Sequence, residues 1–218
     1  MATQIADAAR QFAAIRDAQV IVPTIELLAP TESARGLRHE QADSAAQAIA
    51  ALVTDDAPIR RARKRIAKAE RLAFRWDIDD RFASFEEGLS ITYRGGRRGL
   101  RAATANTTDE AIHEWRKRVK DLWYQLRLLE QIAPSTLTPL IAQLDDLGES
   151  LGVDHDLAVA ATHLDAEGIA DARALQRASR DWTLRIGATI YAEPSKAFVG
   201  RLRRYFALTR ERGPEIEI

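Results

Sequence analysis

The chain has 218 residues, 46% apolar and 29% charged, with 32 Lys plus Arg balanced by 32 Asp plus Glu. That much hydrophobicity at zero net charge excludes intrinsic disorder, and the absence of Cys excludes disulfides, thiolate-bound zinc and a thiol nucleophile. No apolar run approaches the roughly 18 residues of a membrane span and Met1–Asp7 lacks the basic and apolar regions of a signal peptide, so the expectation is a cytoplasmic protein with no membrane partner, folded as one domain over 1–218.

With 39 Ala, 7 Pro and no strand-like alternation, the sequence predicts an all-α fold. In chain order, the apolar spacing predicts helices over 2–29 (kinked or broken at Pro23), 33–53, 58–76, 84–104, 108–133, 138–151, 155–166, 168–191 and 194–211. Thr107 with Glu110, and Ser84 with Glu87, have capping-box spacing, in which a hydroxyl accepts from a free backbone N–H and a carboxylate reaches back. Pro58, Pro139 and Pro194 sit where a first-turn Pro loses no hydrogen bond. Gly152, Gly168 and Gly213 fall near helix ends, where a left-handed residue is wanted.

Charge is segregated along the chain. Residues 59–75 hold eight basic residues and one acid, while 128–172 hold nine acids and no Lys or Arg. At about 100° per residue, His113, Arg116, Lys117, Lys120, Tyr124 and Arg127 occupy one arc of roughly 100°. The adjoining arc is apolar, with Ile112, Trp115, Val119, Leu122, Trp123, Leu126 and Leu129. Trp115, Trp123 and Trp182 are expected in the core. A second stripe, Arg60, Arg63, Lys64, Lys68, Arg71 and Arg75, lies opposite Ile66, Ala69 and Ala73. Arg94, Arg97 and Arg98 stand beside Gly95-Gly96, which lets another backbone or a ligand approach. Same-sign neighbours at i+3 and i+4 repel unless an anion sits among them. Such stripes converging in one bundle would form a positive groove for a multiply charged anion; the plain alternative is a set of solvated helix faces. Arg would grip phosphate bidentately and Lys as a point charge. His113 would donate to phosphate, more strongly when protonated.

The segment Ile112-His113-Glu114-Trp115-Arg116-Lys117-Arg118-Val119-Lys120-Asp121-Leu122-Trp123-Tyr124-Gln125-Leu126-Arg127 resembles the signature helix of the CHAD family, the conserved histidine α-helical domain. Further stretches agree in order: Tyr93-Arg94-Gly95-Gly96-Arg97-Arg98, Leu147-Gly148 with His155-Asp156-Leu157, and Tyr191-Ala192-Glu193-Pro194. The resemblance implies a helical bundle of two pseudo-symmetric halves around a basic central groove that binds inorganic polyphosphate. It implies no catalysis by this domain and no cofactor, and a cytoplasmic place beside polyphosphate granules. His155, at the start of its predicted helix where N–H groups favour anions, and Arg16, its counterpart in the parallel between Ala14–Val20 and Val153–Val159, join the site. Asp17 and Asp156, acceptors only, would orient neighbours or cap helices.

His113 precedes His155 by 42 residues, so a matching first signature helix would lie before residue 1. The expectation is a chain lacking that helix. It would be short of half the groove's cations and have an apolar slot that favours a homo-oligomer. The rivals are nucleic-acid binding, disfavoured because exposed aromatics interleaved with basic residues are not evident; a degenerate interaction scaffold; and, least, a hydrolase built on Asp145, Asp146, Asp154 and Asp156. No metal-ligand spacing stands out.

Overall fold

The computed structural model describes residues 9, 12–77, 79 and 81–212, leaving aside a few side chains of the first helix and that of Arg212. Among them there are eight α-helices and no strand. They divide into two compact units, residues 1–78 with 156–174, and residues 79–155 with 175–218.

The first unit holds α1 (Ala13–Ile25), α2 (Glu32–Thr54) and α3 (Ala57–Ala73). Pro23 lies in the last turn of α1, and the helix stops two residues later instead of continuing to 29. Thr31 caps α2, its hydroxyl accepting from Ala34 N at 3.1 Å. Ile21, Ile25, Leu28, Ala34 and Leu37 form this unit's core with Leu157, Ala160 and Leu164. Two acids of the Lys/Arg-free stretch act structurally here. Asp171 accepts from Ala29 N at 2.6 Å, and Asp165 caps the helix that follows it by accepting from Gly168 N at 2.9 Å. Pro58 occupies the first turn of α3 as expected. This helix buries only Ala62 and Ala69, which leaves Arg60, Arg61, Arg63, Lys64, Lys68 and Arg71 exposed.

The second unit is built on α4 (Ala83–Ala105) and α5 (Asp109–Leu129), with a 3-10 turn over Glu130–Ile132. It also takes most of α6 (Pro134–Ala161) and α7 (Ala166–Ile190), and α8 (Ser195–Arg212). The apolar arc read from the α5 sequence is its core: Trp115, Val119, Leu122 and Leu126 are fully buried with Leu89, Leu147, Leu151 and Leu202. The Tyr93 ring stacks on Phe198 at 4.0 Å between centroids and its hydroxyl donates to Ile190 O at 3.0 Å, while burial pushes its pKa up to about 12. The indole of Trp115 is packed so closely on α7 that a Cβ at Gly187 would lie 2.5 Å from its ring. Gly187→Ala is therefore expected to destabilise the unit by about 1–3 kcal/mol, the usual range for overpacking, measured as a lower midpoint in denaturant at unchanged m-value.

Several local expectations are corrected. The helices read as 138–151 and 155–166 are one continuous helix, α6, with Pro139 and Gly152 inside it. His155 thus sits in the body of a helix, not in its first turn. Thr108, not Thr107, caps α5, accepting from Ala111 N at 3.2 Å, while the Thr107 hydroxyl donates back to Ala103 O. At α4, Phe82 occupies the cap position without a side-chain bond, so Ser84 caps nothing. Gly168 lies in the first turn of α7, at a helix start and not a stop, and no described glycine has a left-handed φ. Gly213 lies outside the described residues. Trp182 is 40% exposed because its position on α7 faces away from the core.

Candidate functional site

The first turn of α5 sets the register of everything that follows: Thr108 caps it, and Asp109 and Glu110 complement the helix dipole. From that start, His113, Arg116 and Lys120 turn toward α6. The His113 and His155 rings lie 4.3 Å apart between centroids, tilted by 31°. Arg116 rests on Gly152, where a Cβ would stand 3.2 Å from its Nη2 and 3.4 Å from its Nε. One turn earlier on α6, Gly148 lies beneath the Lys120 stem, 3.9 Å from its Cγ. A glycine that looked like a helix stop thus provides the space in which a guanidinium lies along a helix.

The stripe is less uniformly uncompensated than the sequence suggests. Lys117 pairs with Glu114 on its own helix, and Lys120 stands 3.7 Å from Glu149 of α6. Arg116 and Arg127 have no acid partner among the described residues. Buried Arg116 Nε and His113 Nδ1 have no hydrogen-bond partner at all. Unsatisfied buried polar atoms are few in native proteins and call for an explanation.

The acids nearest this cluster are already engaged. Asp154, only 2% exposed, accepts from Arg180 Nε at 2.6 Å and from Arg180 Nη2 at 2.8 Å. The same guanidinium donates to Asp109 Oδ1 at 2.8 Å and to Thr107 O at 3.2 Å. Gln176 Nε2 donates to Asp154 O at 2.8 Å. Neither Arg180 nor Gln176 was foreseen from sequence. The available signal was indirect: an acid buried in a stretch without Lys or Arg must borrow a cation from elsewhere.

This arrangement governs the two imidazoles. Burial holds the pKa of His113 below the ordinary histidine value, and the neighbouring His155 and Lys117 push the same way. Burial also lowers His155, with Arg116 next, opposed by Asp154 and Asp109. Both rings are therefore neutral near pH 7, next to an unpaired guanidinium.

The other sequence-derived candidates are distributed more widely. Tyr124 is 57% exposed. Arg127 lies 4.6 Å above the half-buried Trp123 ring, which Lys120 also approaches at 5.4 Å, so cations cover this indole. Arg94, Arg97 and Arg98 lie mid-helix on α4. With Ile91, Arg101 and Ser195 they line a pocket of about 560 Å³ that includes no residue of the α5 stripe. Gly95-Gly96 admits protein and not ligand: a Cβ at Gly95 would stand 3.0 Å from Arg118 Cδ, and one at Gly96 would collide with the Tyr191 ring. Arg63 and Lys64 are exposed on α3 of the first unit, and Phe74 and Trp76, just beyond its end, are exposed as well. The side chains of Arg16 and Asp17 lie outside the described residues. No group of three His, Asp or Glu could hold a metal ion, and no helix is long and apolar enough to cross a membrane, among the described residues.

Gly152→Ala separates fold from site. The substitution removes a glycine from a helix interior, worth about 0.5–1 kcal/mol, and its Cβ meets only the flexible end of Arg116. Thermal stability is expected to hold or rise while anion affinity falls, read from a melt and a binding isotherm on the same sample.

A model of the CHAD domain matches residues 1–165. No curated protein and no solved structure matches the chain.

Proposed function

The chain belongs to the CHAD family, and on that premise we propose that it binds inorganic polyphosphate through the face of α5 and α6 that carries His113, Arg116, Lys117, Lys120 and His155, without hydrolysing it. The observation that carries this reading is Arg116. Its guanidinium has no acid partner among the described residues, its Nε is buried without a hydrogen bond, and two neutral imidazoles stand beside it. Phosphate oxygens would satisfy that fork with charge-assisted bonds. They would also draw Lys117 and Lys120 from acids that hold them only at the surface, where such pairs are worth about 0–1 kcal/mol.

Affinity should come mainly from counterion release, so it should fall linearly in log–log form with salt, by about 0.7 per phosphate contact for a single-stranded polyanion. The test is a salt-titrated binding curve with polyphosphate of defined length. In Arg116→Gln/Lys117→Gln/Lys120→Gln the slope is expected to shrink by about 2 while helicity is unchanged. An unaltered slope and affinity would refute the site. Phosphate released from polyphosphate with Mg²⁺ or Mn²⁺ would refute the non-catalytic part.

Single-stranded nucleic acid is the second reading, favoured by one feature: Phe74 and Trp76 are 83% and 54% exposed beside the cations of α3. Aromatic platforms next to basic faces stack bases. Polyphosphate is expected to resist displacement by RNA or DNA at equal phosphate concentration; ready displacement would favour this alternative.

A further inference from the structure

We propose that α3 is a self-association surface, through which two copies of this chain pair antiparallel by Ile59, Arg63, Ile66, Glu70 and Phe74. At about 100° per residue, these five fall in one arc of roughly 80°. Phe74 follows the last helical residue but keeps its register, since its N–H still bonds Glu70 O at 3.0 Å. All five are exposed, Ile66 by 53% and Phe74 by 83%. The buried Ala62 and Ala69 lie to one side of this arc. The exposed Arg60, Arg61, Lys64, Lys68 and Arg71 begin about 40° beyond its other edge.

Glu70 points to the occupant. It is the only acid in residues 59–75, and its neighbours three and four positions away are Ile66, Ala67, Ala73 and Phe74. Arg63 has Ile59, Arg60, Ile66 and Ala67 at the same spacings. Neither can therefore pair along its own helix, and neither has a partner of opposite charge among the described residues. A polyanion or an anionic bilayer would set Glu70 against like charge. A purely apolar partner would desolvate both charges without compensation.

A second copy of α3 satisfies all five. In chain order they read apolar, positive, apolar, negative, apolar. Reversed, the order reads apolar, negative, apolar, positive, apolar, which is its complement. Arg63 and Glu70 stand about 10 Å apart along the axis. A two-fold axis beside Ile66 and Ala67 therefore sets Arg63 against the partner's Glu70, and Glu70 against the partner's Arg63. The same register brings Ile59 to the partner's Phe74 and leaves Ile66 next to the axis. An isologous contact needs such a self-complementary patch, and ion pairs between helices fix direction and register. The helix has 17 residues, which makes the contact small among specific interfaces, so dissociation is expected on the order of 10–100 µM.

The surface is independent of anion binding at α5, and the test contains no polyanion. Sedimentation velocity of the full chain from about 1 to about 500 µM, a range that brackets the expected constant, should show monomer giving way to dimer. Arg63→Glu and Glu70→Arg each place like charges opposite one another and should weaken association at least tenfold. Mixed one to one, these two variants should form a heterodimer, because every charge then meets its opposite. Arg63→Glu/Glu70→Arg keeps the net charge and should return to within about threefold of the parent. Either recovery also shows that the single variants are folded. The chain has no Cys, so Ile66→Cys under mild oxidation should give a disulfide-linked dimer, and Lys64→Cys, away from the arc, should not. A monomer at every concentration overturns the proposal, as does association that the single reversals leave unchanged. Failure of both recoveries overturns it too, as does association that appears only when polyphosphate or RNA is added.

Discussion

Asp154→Ala is expected to lower the stability of the second unit by about 3–5 kcal/mol, the range for removing one partner of a buried ion pair. The side chain is almost fully enclosed and the Arg180 guanidinium is only 13% exposed. Without Asp154, that guanidinium keeps Asp109 and the Thr107 carbonyl but loses two charge-assisted bonds in a site that water barely reaches. At roughly 2–4 °C per kcal/mol for a protein of this size, the melting temperature should fall by about 6–20 °C. Replacing both partners, in Asp154→Leu/Arg180→Met, should recover much of the loss, because no buried charge is left unpaired. A double-mutant cycle on the two positions measures the coupling. Additive losses would show that the pair contributes little and that the effect of Asp154→Ala has another source.

The same network shows where sequence reasoning reached and where it stopped. Helical spacing alone located the faces of α5: every residue placed on its apolar arc except the half-buried Trp123 is buried. Local signals failed wherever a distant residue decided the outcome. Gly152 has the composition of a helix stop, yet α6 passes through it, and its missing side chain leaves the room in which Arg116, 36 positions earlier, lies. Asp154 reads as one of nine acids on a solvated face, and is instead buried against Arg180, 26 positions later. Two neighbouring threonines, Thr107 and Thr108, offer the same cap; which one is used depends on where α4 ends, since Thr107 is already bonded to it. Periodicity encodes which face of a helix is buried, but not which partner lies opposite each residue.

The distribution of acids also changes the meaning of the neutral total charge. An acidic block could act only as a repulsive surface. In this chain Asp154, Asp165 and Asp171 are spent on an ion pair, a helix cap and a loop contact. Arg116 then stays without an acid although acids are close to it in space. Net charge of zero is compatible with an anion site when the acids are consumed locally and particular cations are not.

That balance makes binding sensitive to protons, and affinity for polyphosphate is expected to rise as the pH falls from about 8 to about 5.5. In the free protein both imidazoles have depressed pKa values, His113 and His155 alike chiefly through burial, then through His155 for the former and Arg116 for the latter. A polyanion seated on Arg116 and Lys117 reverses the local field and raises both values. Between the free and bound values the complex takes up protons, and affinity gains up to about tenfold per pH unit for each proton taken up. The gain stops below the free values, where both states are charged, and above the bound values, where neither is. The unliganded fold responds with the opposite sign. A group whose folded pKa lies below its unfolded value supports the fold above the unfolded value and withdraws that support as pH falls through the folded one, so the free protein should melt lower at pH 5 than at pH 7. Polyphosphate should narrow that difference. Calorimetry at pH 6.5 in two buffers of different ionisation enthalpy counts the protons directly, and His113→Gln should reduce the uptake by about half. Equal heats in both buffers, with affinity flat between pH 6 and 8, would place the bound chain away from both imidazoles.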